Sequence, residues 1–220
     1  AYKSAMTKEG DTVLGEVVYY ILQPQVSFVL MDQHTGYVKA VNGGRGTKEI
    51  SLSLNRATNT LRQPGSTFKV LTAFAPALDT CGATLSTVYY DAPYTVGQKT
   101  FRNWYAKKGY MGYSTIRDGI VYSMNIVAVR CMMETVTPQL GVEYARNFGI
   151  TSLTETDYNA ATALGGITKG VSNLELTGAY AAIANGGIYT KPVFFTKILD
   201  HNGKVLLENE PQTKRVLKDS

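Results

Sequence analysis

The chain has 220 residues, with 22 lysines and arginines against 17 aspartates and glutamates, for a formal net charge of +5. Its apolar content of 44% predicts one globular domain, or one large part of a domain, with a buried core. The basic residues are scattered rather than aligned with aromatic side chains, and no apolar run reaches about 18 residues, so nucleic-acid binding and membrane-spanning helices are both disfavoured.

The chain divides into a short N-terminal region and a main domain. Residues 1–25 mix charged residues with one apolar run and are predicted to be an N-terminal arm or linker. Residues 26–220 are predicted to belong to a single domain. This domain opens with two β-rich stretches, 26–31 and 37–41, which predict an antiparallel hairpin around an intervening turn.

The stretch Arg-Gln-Pro-Gly-Ser-Thr-Phe-Lys at residues 62–69 predicts a tight turn that leads directly into a helix. Pro64 and Gly65 mark the entrance, because neither is comfortable inside a helix. The apolar pattern continues to about Asp79, and Pro76 is expected to kink or tighten the last turn.

Within this stretch, Ser66 and Lys69 are three residues apart, so they share one face of the first helical turn. That end of a helix carries unpaired N–H groups and partial positive charge. The pair is therefore a candidate serine nucleophile and lysine base. Ser-x-x-Lys alone is too common a pattern to identify a catalytic site.

The middle of the chain is mainly helical. Residues 80–112 are rich in turns and aromatic residues and are expected to be irregular. Three helices follow, and a second hairpin is predicted around Asn202-Gly203. The first helix is capped by Ser114 or Thr115. The second follows Thr137 and covers about residues 138–147. The third begins at the capping box Ser172–Glu175 and extends to about Asn185. Helices clustered between antiparallel hairpins indicate the α+β class.

The cysteines and histidines argue against two familiar kinds of site. Cys81 and Cys131 are far apart and flanked by apolar residues, so we expect buried free thiols, with a single disulfide as the alternative. His34 and His201 both lie beside turn glycines. This placement disfavours a metal site and a Ser-His-Asp triad.

Lys69 is the better candidate for the base that activates Ser66. A lysine amine is normally protonated, but burial among apolar neighbours, or a second cation nearby, lowers its pKa. A second candidate element is Ser123-Met124-Asn125, whose hydroxyl and carboxamide would project into a cleft. Residues 53–55, Ser-Leu-Asn, have the same pattern, but they precede the nucleophile in a polar loop and are disfavoured.

Several stretches in this order resemble the transpeptidase domain of class A penicillin-binding proteins. They are Asn-Arg-Ala-Thr at 55–58, the stretch at 62–69, Asn-Trp at 103–104, Gly-Tyr-Ser-Thr-Ile-Arg at 112–117, Ser-Met-Asn at 123–125, and the segments at 176–180 and 185–187. The resemblance implies the fold shared by penicillin-binding proteins and serine β-lactamases. In that α+β fold a helical cluster packs on an antiparallel sheet, and we expect the sheet to be incomplete in this chain.

The third motif of that family, Lys-Thr-Gly, does not occur in the sequence. Residues 34–36, His-Thr-Gly, precede the nucleophile and fit a hairpin turn, and residues 168–170, Thr-Lys-Gly, have the wrong order. We therefore expect the remaining C-terminal part of the same domain to be a partner of this chain. Without it, residues 1–220 are expected to be inactive or weakly active.

The resemblance also implies an activity and roles for individual residues. Ser66 would attack D-Ala-D-Ala stem peptides of peptidoglycan and form an acyl-enzyme, and β-lactam antibiotics would acylate the same residue. Lys69 would be the general base, Ser123 a proton relay and Asn125 a ligand of a substrate amide. Trp104 would wall the cleft or simply pack. No metal, organic cofactor or nucleic acid is implied, and the outer face of the cytoplasmic membrane is the expected location.

Two alternatives remain open at this point. Transfer of the acyl group to water instead of an amine would make the protein a D,D-carboxypeptidase or a β-lactamase. A domain that keeps Ser66 and Lys69 without turnover would be a non-catalytic β-lactam sensor or a wall-binding module.

Overall fold

The computed structural model describes residues 2–9, 12–20 and 24–219 and confirms the α+β class. Helix α1 spans residues 65–79, and helices α2 to α5 follow it between short strands. The later helices are α2 (Ile116–Val121), α3 (Asn125–Arg130, continued by the π-helical segment Cys131–Val136), α4 (Pro138–Asn147) and α5 (Asn173–Ala184). Single 3-10 turns form at Ala106–Lys108, Glu155–Asp157 and Ala160–Leu164.

The strands of the described residues form six two-stranded antiparallel ladders. The strands are β1 (Tyr2–Glu9), β2 (Thr12–Tyr20), β3 (Phe28–Met31), β4 (Val38–Asn42), β5 (Val88–Asp91), β6 (Tyr94–Val96), β7 (Lys99–Phe101), β8 (Gly112–Thr115), β9 (Ile188–Thr190), β10 (Lys197–Leu199), β11 (Val205–Glu208) and β12 (Thr213–Arg215). The pairs are β1–β2, β3–β4, β5–β8, β6–β7, β9–β12 and β10–β11.

Both predicted hairpins are confirmed. Strands β3 and β4 pair with Leu30 opposite Ala40, and β10 and β11 pair across the turn at residues 200–204. The ladder of the second hairpin joins Lys197–Leu199 to Val205–Glu208. Strands β1 and β2 form a hairpin within residues 1–25, whose assignment as an arm or linker remains a prediction.

The prediction of irregular structure for residues 80–112 was wrong in part, because β5, β6 and β7 lie there. Strand β12 was also not predicted; it pairs with β9. These strands are three or four residues long, and two of their ladders join segments distant in sequence. Strands this short carry little propensity signal, since their stability depends on tertiary packing.

Helix α1 runs between two apolar cores. Its residues Ala73, Phe74 and Ala77 pack with α3 and the π-helical segment after it, in the first core. Phe68 and Leu71 face the second core, which α4, α5 and the 144–171 region complete. A helix that is apolar on every side is expected to be fully enclosed by other parts of the protein. The middle of α1 is buried in this way.

Helix α1 is not uniform along its length. It begins with the 3-10 turn Gly65–Thr67, widens into the π-helical segment Val70–Phe74 and ends as the α-helix Ala75–Asp79. We expected Pro76 to kink or tighten the helix, but the turn before it is wider. Proline has no N–H to donate to the preceding turn, and a π-helical turn, closed by the Ala75 N–H on the Val70 carbonyl, accommodates that loss.

The three helix starts that were predicted from capping residues, those of α2, α4 and α5, are confirmed by the expected side-chain caps. Thr115 and Asp118 form a capping box on α2, the Thr137 hydroxyl accepts from Leu140 N on α4, and Ser172 with Glu175 caps α5. Each such cap stabilises a helix by about 1 kcal/mol. The local signals that predicted these helices are therefore the interactions that start them.

Both cysteines are free thiols; Cys131 is buried as expected, whereas Cys81 is only partly buried. Within residues 2–9, 12–20 and 24–219, no helix is both long and apolar enough to cross a bilayer. The same residues contain no cluster of three or more His, Cys, Asp or Glu side chains able to hold a metal ion.

Candidate active site

Lys69 and Ser123, 54 residues apart in sequence, are in direct contact. Lys69 Nζ donates to the Ser123 backbone carbonyl at 2.6 Å and to the Ser123 hydroxyl at 3.1 Å. Lys69 lies in the second turn of α1, and Ser123 lies in the connection between α2 and α3. The two candidate elements that the sequence identified separately therefore meet at one point.

The Lys69 amine is buried, and the part of the chain that the structure describes places no counter-charge beside it. Its side chain is 2% exposed, and no aspartate or glutamate among the described residues forms an ion pair with it. Burial alone lowers the pKa of Lys69 to about 8. In the neutral form, the two amine hydrogens match the two oxygens of Ser123 and leave the nitrogen lone pair available to accept a proton.

Ser66 lies one turn before Lys69, in the 3-10 turn Gly65–Thr67, and it is exposed. Gly65 has φ +58°, a conformation that residues with a side chain rarely adopt, so glycine suits this position. The result is a serine presented to solvent at the amino end of a helix, with a buried amine one turn further on. The N–H groups of such a first turn have no partners within the helix.

A second segment, residues 165–171, holds the turn that precedes Ser66. Arg62 and Val171 exchange two backbone hydrogen bonds of 2.9 and 2.8 Å. The Gln63 side chain donates to the Ile167 carbonyl and accepts from Ile167 N at 2.9 Å. Sequence reasoning did not reveal these contacts, because the Gln63–Ile167 pair spans 104 positions and leaves no local pattern.

The turn that carries Ser123 has an unusual backbone. Ser123 has φ +51°, in the left-handed region, which costs a residue with a Cβ roughly 1–2 kcal/mol. The next residue, Met124, is fully buried, and its N–H donates to the Gly119 carbonyl at 2.9 Å. The buried Met124 thus anchors a strained turn that directs both oxygens of Ser123 toward Lys69. Strain of this kind is concentrated at functional sites.

Asn125 begins α3, and Trp104 is hydrogen-bonded to the residue just before Ser123. Asn125 Nδ2 donates to the Arg102 carbonyl at 2.9 Å, so its carboxamide is held beside the turn instead of reaching Lys69. Trp104 is 71% exposed, and its Nε1 donates to the Tyr122 carbonyl at 3.1 Å. This exposure argues against the core-packing alternative for Trp104.

Asn103 and Asp91 form a buried polar support that sequence reasoning missed. Asn103 Oδ1 accepts from Ile126 N at 3.1 Å, while its Nδ2 donates to the Asp91 carboxylate. Asp91 also accepts from Tyr105 OH at 3.0 Å and from Met111 N at 2.9 Å. Asn103 therefore caps the start of α3, next to Asn125. The Asn-Trp pair at 103–104 drew attention to the region, but nothing local indicated this role.

The disfavoured motifs have structural roles. Asp32 Oδ1 accepts from His34 N at 2.9 Å and from Thr35 N at 3.1 Å, which makes residues 32–36 a hairpin turn. Asn55 Oδ1 accepts from Ala57 N at 3.0 Å within its own loop. Neither contact involves Lys69.

Comparison with known proteins adds independent findings. Residues 26–220 match the family described as Penicillin binding protein transpeptidase domain. Penicillin-binding protein 1A of Clostridium tetani is 38% identical over 210 residues, which cover 90% of this chain and 26% of that protein. Penicillin-binding protein 1F of Bacillus subtilis is 35% identical over 216 residues, covering 97% of this chain and 29% of that protein.

Solved structures of penicillin-binding proteins also resemble this chain. Penicillin-Binding Protein 1A from Haemophilus influenzae superposes with a TM-score of 0.71 and 32% identity, over 86% of this chain and 28% of that one. The PonA1 protein from Mycobacterium tuberculosis in complex with penicillin V has a TM-score of 0.72 and 28% identity, over 83% of this chain and 49% of that one. The chain spans less than a third of the length of the Clostridium tetani and Bacillus subtilis relatives.

Proposed function

Because the chain belongs to the penicillin-binding protein transpeptidase domain family, we propose that it takes part in peptidoglycan synthesis as a D,D-transpeptidase with Ser66 as its nucleophile. The substrates are peptidoglycan stem peptides that end in D-Ala-D-Ala. The site belongs on the outer face of the cytoplasmic membrane, where those peptides are cross-linked. β-Lactams are the expected inhibitors, since penicillin V is bound to the related PonA1 protein.

Acylation begins when Ser66 Oγ attacks the carbonyl carbon of the penultimate D-alanine. The neutral Lys69 amine accepts the hydroxyl proton as the new C–O bond forms. The Ser66 backbone N–H, in the first turn of α1, is a donor for the developing oxyanion. The family's Lys-Thr-Gly strand, a motif absent from residues 1–220, would supply the second donor and the anchor for the substrate carboxylate.

Collapse of the tetrahedral intermediate breaks the peptide C–N bond and releases D-alanine. Ser123 is placed to relay the proton from Lys69 to the leaving nitrogen, since its hydroxyl lies 3.1 Å from Nζ. Asn125 follows the turn that carries Ser123, and the exposed Trp104 is bonded to Tyr122 in the same turn; we propose that they contact the substrate amide and the acyl chain. An amine of a neighbouring stem peptide then attacks the acyl carbon and forms the C–N bond of the cross-link. The Ser66 Oγ–C ester bond breaks, and Lys69 passes the proton of the amine back to Ser66 Oγ.

One observation carries this proposal: a buried lysine, without a counter-charge among the described residues, touches Ser123 one turn after an exposed serine at a helix start. A structural lysine gains little from such a place, because burying a cation without a partner is unfavourable. A lysine that acts as a base must be neutral, and a buried position without a counter-charge favours the neutral form.

The direct test is the intact mass of the complete native protein after incubation with benzylpenicillin. We expect one covalent adduct, absent from Ser66→Ala and retained in the matched control Ser53→Ala, whose serine lies in the disfavoured Ser-Leu-Asn pattern. No adduct on the native protein, or an adduct on Ser66→Ala, would refute the assignment of Ser66.

A second measurement separates transfer from hydrolysis. The products formed from a stem peptide are analysed with and without an added amine acceptor. A transpeptidase forms the cross-linked product when the acceptor is present. Release of only the shortened peptide under both conditions would favour a D,D-carboxypeptidase, and persistent acylation without products would favour a sensor.

A further inference from the structure

The turn before Ser66 is held mainly by a segment that the proposed reaction does not use. Residues 165–171 contact this turn at three successive points. Val171 pairs with Arg62 through two backbone hydrogen bonds, Ile167 pairs with the Gln63 side chain, and Gly165 lies against Gly65. The segment runs alongside the turn and fixes it over its whole length.

The contact between Gly165 and Gly65 leaves no room for adjustment. A Cβ added to Gly165 would lie 2.3 Å from the Gly65 carbonyl oxygen and 2.6 Å from its nitrogen. The Gly65 carbonyl belongs to the peptide group that also carries the Ser66 N–H. The position of segment 165–171 therefore determines where the N–H proposed for the oxyanion lies.

The far side of the segment is itself anchored. The Asp157 carboxylate, in a residue only 1% exposed, accepts from Thr168 N and Thr168 Oγ1, each at 2.7 Å. It also accepts from Thr154 N at 2.7 Å. Burial by itself raises the pKa of Asp157, but these hydrogen bonds outweigh it and lower the pKa. The ionised carboxylate thus holds Thr168 firmly, directly beside Ile167.

Gln63 is the one side chain of the turn that joins it to this anchored segment. Its carboxamide donates one hydrogen bond to Ile167 and accepts another from the same residue. Only asparagine and glutamine present a donor and an acceptor side by side in one plane, and asparagine is one methylene shorter. Only Pro64 and Gly65 separate Gln63 from Ser66, and the ring of Pro64 fixes one of the intervening dihedral angles.

We propose that Gln63 is a positioning residue for Ser66: by pairing with Ile167 it fixes the Gly65–Ser66 peptide in the orientation that acylation requires. This inference rests on the proposed function of Ser66. Gln63 acts through the backbone and need not touch the substrate. Its loss is expected to slow the bond-forming step and to leave the initial binding of ligand unchanged.

The test compares Gln63→Met and Gln63→Glu with the matched control Gln139→Met, whose glutamine is exposed on α4. Methionine keeps the length of the side chain and removes both hydrogen bonds, while ionised glutamate keeps only the acceptor. Stopped-flow measurements with a chromogenic cephalosporin on the complete native protein give the acylation rate constant and the non-covalent dissociation constant separately.

We expect the acylation rate constant of Gln63→Met to fall by about 10- to 100-fold, a loss typical of a misplaced nucleophile or oxyanion donor. The dissociation constant and the apparent pKa of the rate profile should match those of the native protein. The acylation rate constant of Gln63→Glu should fall at least as far, because its carboxylate would face the Ile167 carbonyl, and both groups are acceptors. Gln139→Met should acylate at the native rate.

The melting temperature and the fraction of protein that can be acylated are measured on the same samples, so that each rate refers to folded molecules. A rate constant within about twofold of native, well below the loss expected for a misplaced donor, would overturn the proposal. A loss confined to the dissociation constant or to the folded fraction would overturn it as well. Absence of any adduct on the native protein would instead refute the assignment of Ser66.

Discussion

Lys69 Nζ lies closer to the backbone carbonyl oxygen of Ser123, at 2.6 Å, than to the hydroxyl of the same residue, at 3.1 Å. The hydrogen bond to the Ser123 carbonyl holds the amine against the backbone, which cannot rotate away as a side chain can. The hydroxyl can then turn between Lys69 and a substrate without releasing the lysine. The left-handed backbone of Ser123 is what brings both oxygens to one nitrogen.

The pH dependence of acylation follows from the pKa of Lys69, which burial lowers to about 8. The base is active when neutral, so the rate constant for acylation by benzylpenicillin should rise about tenfold from pH 7 to pH 9 and then level off. Lys48→Met, which alters an exposed lysine, should give the same profile. A rate that still climbs steeply above pH 9 would mean that Lys69 titrates like an ordinary lysine.

The same pKa predicts how stability responds to pH. Lys69 has an ordinary pKa of 10.5 when unfolded and about 8 when folded, so between these values the unfolded chain binds more protons. The native protein should therefore gain on the order of 3 kcal/mol of unfolding free energy relative to Lys69→Met as the pH rises through this interval.

Urea unfolding at several pH values between 7.5 and 10.5 measures this difference. Lys107→Met serves as the control, because Lys107 is exposed and should show no comparable trend. A constant difference between the native protein and Lys69→Met across the range would contradict the low pKa of Lys69.

Two substitutions of Ser123 separate its chemical role from its backbone strain. Ser123→Ala and Ser123→Gly both remove the hydroxyl, so each should lose about a hundredfold or more in acylation rate constant. Glycine accepts a φ of +51° without strain, so Ser123→Gly should be more stable than Ser123→Ala by about 1 kcal/mol. Rate measurements and urea unfolding on the same preparations check both, and equal stabilities would show that the turn relaxes in the alanine variant.

Asn103 should matter for stability far more than its position between strands suggests. Asn103→Ala leaves the Ile126 N–H and one Asp91 oxygen without their buried partner, which is expected to cost about 2–3 kcal/mol of unfolding free energy. Asn202→Ala, in the exposed β10–β11 turn, should change it by less than about 0.5 kcal/mol. Similar losses in the two variants would mean that the buried network contributes nothing special.

The sequence predicted well those features that depend on neighbouring residues. The cap at Thr137 followed by Pro138 placed α4 at residues 138–147, and the Ser172–Glu175 box placed the start of α5. Ser66 and Lys69 were paired as a candidate nucleophile and base because a helix brings residues three apart onto one face, and those roles remain a prediction. The motif at 123–125 was chosen over the similar one at 53–55 because it follows the nucleophile, and the structure shows that its serine reaches Lys69.

The features that sequence reasoning missed depend on contacts between distant residues. The pairing of Gln63 with Ile167 spans 104 positions, and the cap of α3 by Asn103 spans 23. Single polar side chains make these contacts without periodicity or a turn signature, so no window of the sequence reveals them. The ladder between β5 and β8 was missed for the same reason, since each strand needs its distant partner to form.

Helix α1 lies between two cores, and this arrangement restricts how the site can change during evolution. A side chain of α1 that shrinks or grows disturbs packing on one side and shifts the helix against the other. Variants that escape β-lactams while keeping the protein folded should therefore accumulate in the shell that touches α1 from outside, including residues 165–171 and the Asn103–Asn125 region. Sequences selected by β-lactam exposure should be compared first in those two regions.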